Sequence, residues 1–131
     1  MKLTRASSYA IHALVFMAAQ KQNRPVASHH IAKARGIPER FLLKVLKPLV
    51  SARVLHSVKG PNGGYRLARA PNDITILEIL EAVDGPIRGQ PTFSEGNGSL
   101  NKRLDQICSQ AAEQVRKQLQ KVRISELIGK N

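Results

Sequence analysis

The stretch "IAKARGIPERFLLKVL", Ile31 to Leu46, constrains the fold more than any other part of the chain. A run of about Ser28 to Arg35 has helical spacing, with Ile31 and Ala32 pointing inward. Gly36 then interrupts it, and glycine takes the left-handed conformation that stops a helix without a Cβ penalty. Pro38 opens a second run at a position where its missing N–H costs nothing. Two helices joined by so tight a turn must cross, and Ile31, Ala32, Ile37, Leu42 and Val45 supply the apolar contacts of such a crossing. The second helix is expected to bury Phe41, Leu42, Val45, Leu46 and Leu49. Arg40, Lys44 and Lys47 fall on the opposite stripe at i, i+4 and i+7. Pro48 removes a hydrogen bond and crowds the preceding turn, so the pattern predicts a kink there or an early end.

A hairpin follows. Two short strands, about 54–58 and 65–68, flank "KGPNGG", and Asn62-Gly63 is a strong tight-turn signal. Upstream, Thr4 to Gln20 reads as a helix that is apolar nearly all round, hence buried on every side and covered in part by a second subunit. Downstream, Thr75 to Val83 reads as a helix capped by Asp73 or Thr75 and stopped by Asp84-Gly85-Pro86. Residues 86–99 read as a flexible loop. Leu100, Leu104, Ile107, Ala111, Val115, Leu119 and Val122 then mark one amphipathic helix. A stripe that long outruns a small domain, so a second copy of the chain is its expected partner. The expected architecture is mainly α with a small β-hairpin wing, a winged helix-turn-helix plus a long dimerisation helix. Residues 1–85 are expected to form the winged helix-turn-helix unit, 86–99 a loop, and 100–131 the dimerisation helix and tail.

Charge gives this layout a purpose. Residues 1–69 hold thirteen Lys or Arg and one acid, Glu39, while the whole chain of 131 residues carries a net +12. A polyphosphate is the commonest answer to so cationic a half-chain. The major groove of B-DNA admits one helix, and Arg40 and Lys44 would face it. Gly60, Gly63 and Gly64 let the hairpin backbone approach DNA closely. Lys59 would reach the minor groove or its phosphates, with Arg66 and Arg69 anchoring the flank. An A-form major groove is too narrow for a helix, and aromatic residues make up only 4% of the chain, so RNA and single strands fit less well.

Other chemistries lack their residues. Neither a G-x-x-x-x-G-K-[ST] loop nor a G-x-G-x-x-G turn is present. No Ser/His/Asp or Cys/His arrangement and no pair of carboxylates marks an enzyme. The adjacent His29 and His30 do not share a helical face and make a poor metal chelate. His30 is a phosphate-contact candidate, His12 a core or interface residue, and His56 a surface residue of the wing. The single cysteine, Cys108, excludes a disulfide within the chain. It reads as an inert buried thiol or, alternatively, as a redox switch at a dimer interface. Without an export signal or a span long enough for a bilayer, the expected location is the cytoplasm. Two rivals stay open: a sequence-neutral architectural DNA-binding protein, and a protein-interaction module that docks through the long helix.

"MKLTRASSYAIHAL", "VASHHIAKARGIPERFLLKVLKPL", "VKGPNGGYRLAR", "ITILEILEAVDGPI" and "VRISELI" resemble, over nearly the whole chain, the Rrf-two family of bacterial transcription regulators. That family includes IscR-like, NsrR-like and CymR-like proteins. The resemblance implies a homodimer on a roughly palindromic operator in double-stranded DNA, and the expected regulator is a repressor rather than an activator. It carries DNA contact over to Pro38, Glu39, Arg40 and Lys44, to the wing from Lys59 through Gly60, Asn62 and Gly63 to Gly64, with Arg66 beside it, and to Thr4 and Arg5 at the start of the first helix. Many members hold an iron–sulfur cluster on three cysteines in the loop before the long helix. Here that loop, "GQPTFSEGNGSLNKR", has none, and thiolates are the usual cluster ligands, so no cluster or other cofactor is expected. The turn before the wing often carries glycine, where this chain has Arg53. An effector is not identified; the loop 86–99 and the space beside the long helix are the candidate places for one.

Overall fold

The computed structural model describes residues 1–89 and 98–130. Helix α1 spans Arg5–Ala18. Thr4 caps it, its Oγ1 accepting from the Ser7 N–H at 3.0 Å. That hydroxyl also donates to the Asp84 carboxylate at 2.9 Å, joining the start of α1 to the far end of the fourth helix. Most of the apolar girdle of α1 is covered within the chain, while Ile11 and Phe16 stay half-buried. Ala10, Ala13 and Leu14 are fully buried, and α1 packs against every other helix of the N-terminal half. His12, expected in the core or at an interface, is exposed in the chain, on the rim of a cleft it shares with Arg35 of the second helix and Leu127 near the C-terminus.

Helices α2 (Ser28–Arg35) and α3 (Glu39–Ser51) flank the turn. Gly36 has φ +65°, and the Ile37 N–H closes the end of α2 on the Ala32 carbonyl at 2.9 Å. Leu42, Leu46 and Leu49 of α3 are fully buried. Two expectations about α3 need correction. Phe41 is 43% exposed. Of the kink or early end expected at Pro48, the early end does not occur: the helix runs on to Ser51, since the proline lies within the last turn and only one donor is lost.

The end of α3 is a Schellman motif. The Val54 N–H reaches the Leu49 carbonyl and the Arg53 N–H the Val50 carbonyl, both at 3.0 Å. The residue in the left-handed position is Arg53, at φ +62°, where glycine would be unstrained. Fully buried Val54 and Leu49 supply the apolar contact that accompanies this motif.

Strands β1 (Leu55–Val58) and β2 (Gly64–Leu67) pair antiparallel, with Leu55 opposite Leu67 and Val58 opposite Gly64. The tip is one turn longer than a two-residue hairpin. The Gly63 N–H bonds the Gly60 carbonyl at 3.0 Å, so Pro61 and Asn62 are its central residues rather than Asn62 and Gly63. Gly63 and Gly64 are needed for space: a Cβ on them would stand 2.1 Å from the Val58 oxygen and 2.3 Å from the Val26 oxygen. The outer edge of β2 is tied down by residues before α2. Val26 and Tyr65 exchange backbone hydrogen bonds of 2.8 and 2.9 Å. The Asn23 side chain donates to the Leu67 carbonyl at 2.9 Å and accepts its N–H at 3.2 Å.

A single 3-10 turn, Pro71–Asp73, leads to α4 (Ile76–Asp84). Of the two candidate caps it is Thr75 that serves, in a capping box with Glu78. Gly85 ends the helix. The long helix α5 spans Ser99–Gln120. After it the chain returns to the core: the Ile76 N–H bonds the Val122 carbonyl and the Ile124 N–H the Ile74 carbonyl, both at 2.9 Å. Ile124, in the closing 3-10 turn Ile124–Leu127, is fully buried.

Candidate nucleic-acid interface

The cationic residues named from the sequence collect around α3. Arg40, Lys44 and Lys47 are exposed on the stripe opposite Leu42, Leu46 and Leu49. Arg5, at the first turn of α1, joins Lys44 on the rim of one apolar cleft of about 260 Å3, walled by Ala6, Tyr9, Phe41 and Val45. Phe41 links the cations: the Arg40 guanidinium lies 5.3 Å from its ring centroid and the Lys44 ammonium 5.6 Å, both within cation–π range. Pro38 and Glu39 are exposed at the head of the helix, with Pro38 in the capping position.

The hairpin tip stands out from the core with Lys59, Gly60, Pro61 and Asn62 exposed and Gly63 half-buried. Arg66 is half-buried opposite His56, on the face of the hairpin away from Leu55 and Leu67. Thr4 is exposed, but its hydroxyl already serves α1 and Asp84. Arg69, which the sequence placed among the wing anchors, is committed inside the chain. It pairs with Glu78 and donates to the Asp73 carbonyl at 3.0 Å and to the Arg53 carbonyl at 3.4 Å. Burial would raise the Glu78 carboxyl, but the Arg69 hydrogen bond and the Thr75 N–H outweigh it and hold that carboxyl below its ordinary value.

Sequence reasoning missed three contributors. Phe41 went to the core because it lies at the edge of the buried stripe. Asn23 gave no sequence signal, since a side chain bonding a strand 44 residues away leaves no local signature. The place of Arg53 was marked by the absent glycine, but its strain shows only in φ. Of the remaining histidines, His29, His30 and His56 are exposed, and His30 lies 6.1 Å from the Phe16 ring.

Beside α5, residues 86–89 form one side of a cleft of about 480 Å3 with Ser109, Ala112, Glu113 and Arg116. Gly89 touches the helix backbone; a Cβ there would stand 1.8 Å from the Cys108 oxygen. Cys108 is half-buried rather than buried. The rest of the loop named as an effector candidate, residues 90–97, lies outside the described residues.

A family model described as Rrf2, iron-dependent transcriptional regulator, matches residues 3–130. The chain belongs to the Rrf2 family. It is 35% identical over 129 residues to the rrf2-like HTH-type regulator of Rhodobacter capsulatus, covering 96% of this chain and 84% of that protein. An HTH-type regulator of Mycobacterium tuberculosis is 36% identical over 87 residues, 66% of this chain and 54% of that protein. The chain thus spans about half the length of that relative. Among solved structures it is similar to CymR, titled the global cysteine regulator of B. subtilis, with a TM-score of 0.78, 21% identity, and coverage of 100% and 98%. It is also similar to T. potens IscR, with a TM-score of 0.74, 23% identity, and coverage of 97% and 85%. These likenesses establish the winged-helix fold. The family and its named relatives are regulators, not enzymes.

The iron in the Rrf2 description does not fit this donor set. The sequence has one cysteine, and among the described residues no group of three or more His, Cys, Asp or Glu converges. Among the described residues no helix is long and apolar enough to cross a membrane.

Proposed function

We propose that this Rrf2 protein is a sequence-specific repressor that binds a palindromic operator as a homodimer. The observation that carries the reading is the exposed stripe of Arg40, Lys44 and Lys47 beside an exposed glycine-tipped hairpin on one winged-helix scaffold. α3 enters the major groove, with Pro38, Glu39, Arg40 and Lys44 nearest the base edges. Lys59 to Gly63 approach the neighbouring minor groove, Arg66 supports the flank, and Thr4 and Arg5 meet the backbone. Phosphate contacts supply most of the affinity, which falls steeply with salt.

The homodimer reading rests on α5. Leu100 and Ile107 are 70% and 45% exposed on a stripe that only its C-terminal end buries against the core. A second copy crossing there would cover it and set two recognition helices about one DNA turn apart. Such a regulator acts in the cytoplasm, where its operator lies.

Selection of duplexes from a random DNA pool tests the reading. An enriched pseudo-palindrome with half-sites about one helical turn apart is expected. A flat pool with strong binding would replace this reading with that of an architectural protein. Within the expected outcome, Lys59→Ala weakens binding to all sequences alike, whereas Arg40→Ala or Lys44→Ala changes which sequence is preferred.

A further inference from the structure

We infer that Phe41 reads thymine: its ring packs on the C5-methyl group of a thymine in each operator half-site and sets a preference for T·A at that base pair. The inference rests on the proposed role of α3 as the recognition helix and adds an apolar term to it. Arg40 and Lys44 flank the Phe41 ring at 5.3 and 5.6 Å, so whatever draws those cations into the groove draws the ring with them. Phe41 lies in the first turn of α3, and in helices of this type the N-terminal residues meet base edges. Phe41 is 43% exposed, which gives it apolar surface to bury on binding.

Its other side is supported. Ala6, Tyr9 and Val45 wall the cleft of about 260 Å3 that the ring borders, which leaves room for a methyl group between α1 and α3. The chemistry then selects one base. A phenyl ring neither donates nor accepts a hydrogen bond, and thymine alone presents an apolar group in the major groove. Leu43, 42% exposed, is the other exposed apolar side chain of α3, but it does not line that cleft and has no cation on it.

The test uses the full chain and the duplex enriched from a random pool. Each thymine is replaced in turn by deoxyuridine, which removes only the methyl group, and binding is followed by fluorescence anisotropy at fixed salt. One thymine per half-site is expected to matter. Its replacement should weaken wild-type binding about fourfold, and replacement in both half-sites about fifteenfold, the factors for one and two lost methyl contacts. Phe41→Ala should bind thymine and uracil duplexes equally, with an unchanged circular dichroism spectrum because the ring is not part of the core. Leu43→Ala should keep the full uracil penalty. A wild-type protein indifferent to uracil at every position would overturn the inference, as would a Phe41→Ala variant that retains the penalty. A pool with no enriched sequence would overturn the sequence-reading function itself before any uracil is introduced.

Discussion

α3 and α5 are both amphipathic helices with a regular apolar stripe, yet they meet opposite environments. In α3, Leu42, Leu46 and Leu49 are fully buried, while α5, 22 residues long, has no buried residue at all. The stripe of α3 is closed by α1, α2, α4 and β1 of the same chain. That of α5 meets the core only near its end, through Leu119 and Val122, and a Glu81–Arg116 ion pair binds it to α4. An apolar period says that a face will be covered, not by what. The difference between the helices is therefore one of source, own chain against proposed partner, and substitutions separate the two.

The largest effect is expected in the core. Leu46→Ala should lower the unfolding free energy by about 3–4 kcal/mol, as a fully buried leucine removed without collapse of its site does. Ile107→Lys should leave the subunit's fold intact but shift self-association toward monomer. Urea unfolding at low protein concentration reads the first, and sedimentation velocity the second. If Ile107→Lys unfolded the subunit as Leu46→Ala does, the stripe of α5 would be core rather than interface, and the contrast would disappear.

The wing offers the same contrast on a smaller scale. Gly64→Ala drives a Cβ to 2.3 Å from the Val26 oxygen at a backbone φ of +148°, so the hairpin must leave its dock on Val26. A loss of about 2–3 kcal/mol is expected, in the range of backbone strain enforced by packing. At Gly60 no atom lies within 4 Å of a Cβ, and only φ +108° resists. Gly60→Ala should therefore cost about 1 kcal/mol. Thermal unfolding of the two variants distinguishes them, and equal losses would mean that the close approach of β2 to Val26 carries no energy.

Two helix ends sharpen the lesson further. Gly36 and Arg53 both hold the left-handed conformation, at φ +65° and +62°, but only one is glycine. Arg53→Gly should stabilise the fold by about 1 kcal/mol, the penalty an L side chain incurs there. An unchanged or lower melting temperature would show that the Arg53 side chain offsets its own strain.

The turn at Gly36, the cap of α4 to within the pair Asp73 and Thr75, the stop at Gly85 and the cationic stripe of α3 were legible because each is decided by residues within one or two turns of sequence. Phe41 was not, because each residue advances the helix by about 100° and position 41 lies at the border between stripes. Whether a border residue is covered depends on how closely α1 approaches, which is a tertiary quantity. The early end expected at Pro48 does not occur for a related reason: its penalty is one lost donor, and the Schellman closure with buried Leu49 and Val54 outweighs it. Asn23 and Arg69 were illegible as structural residues because their partners come from other elements. Arg69 in particular looked like a DNA anchor from its charge, and its carboxylate partner, Glu78, lies on the next helix.

That pair gives the smallest effect, and its sign is fixed. Glu78 is held below its ordinary carboxylate value by Arg69 and Thr75, against the opposing pull of burial. The folded protein therefore binds the Glu78 proton more weakly than the unfolded chain does. The stabilisation is complete above the unfolded carboxyl's pKa and is lost as pH falls through the lower folded value. The Arg69 and Glu78 side chains are 37% and 30% exposed, so solvent screening keeps the contribution small. Glu78→Gln should lower the melting temperature slightly at neutral pH, and its difference from wild type should shrink toward zero on acidification below the carboxylate range. A difference independent of pH would mean that Glu78 acts as the hydrogen-bonding cap of α4 alone. The ion pair with Arg69 would then add nothing to the join between the wing and α4.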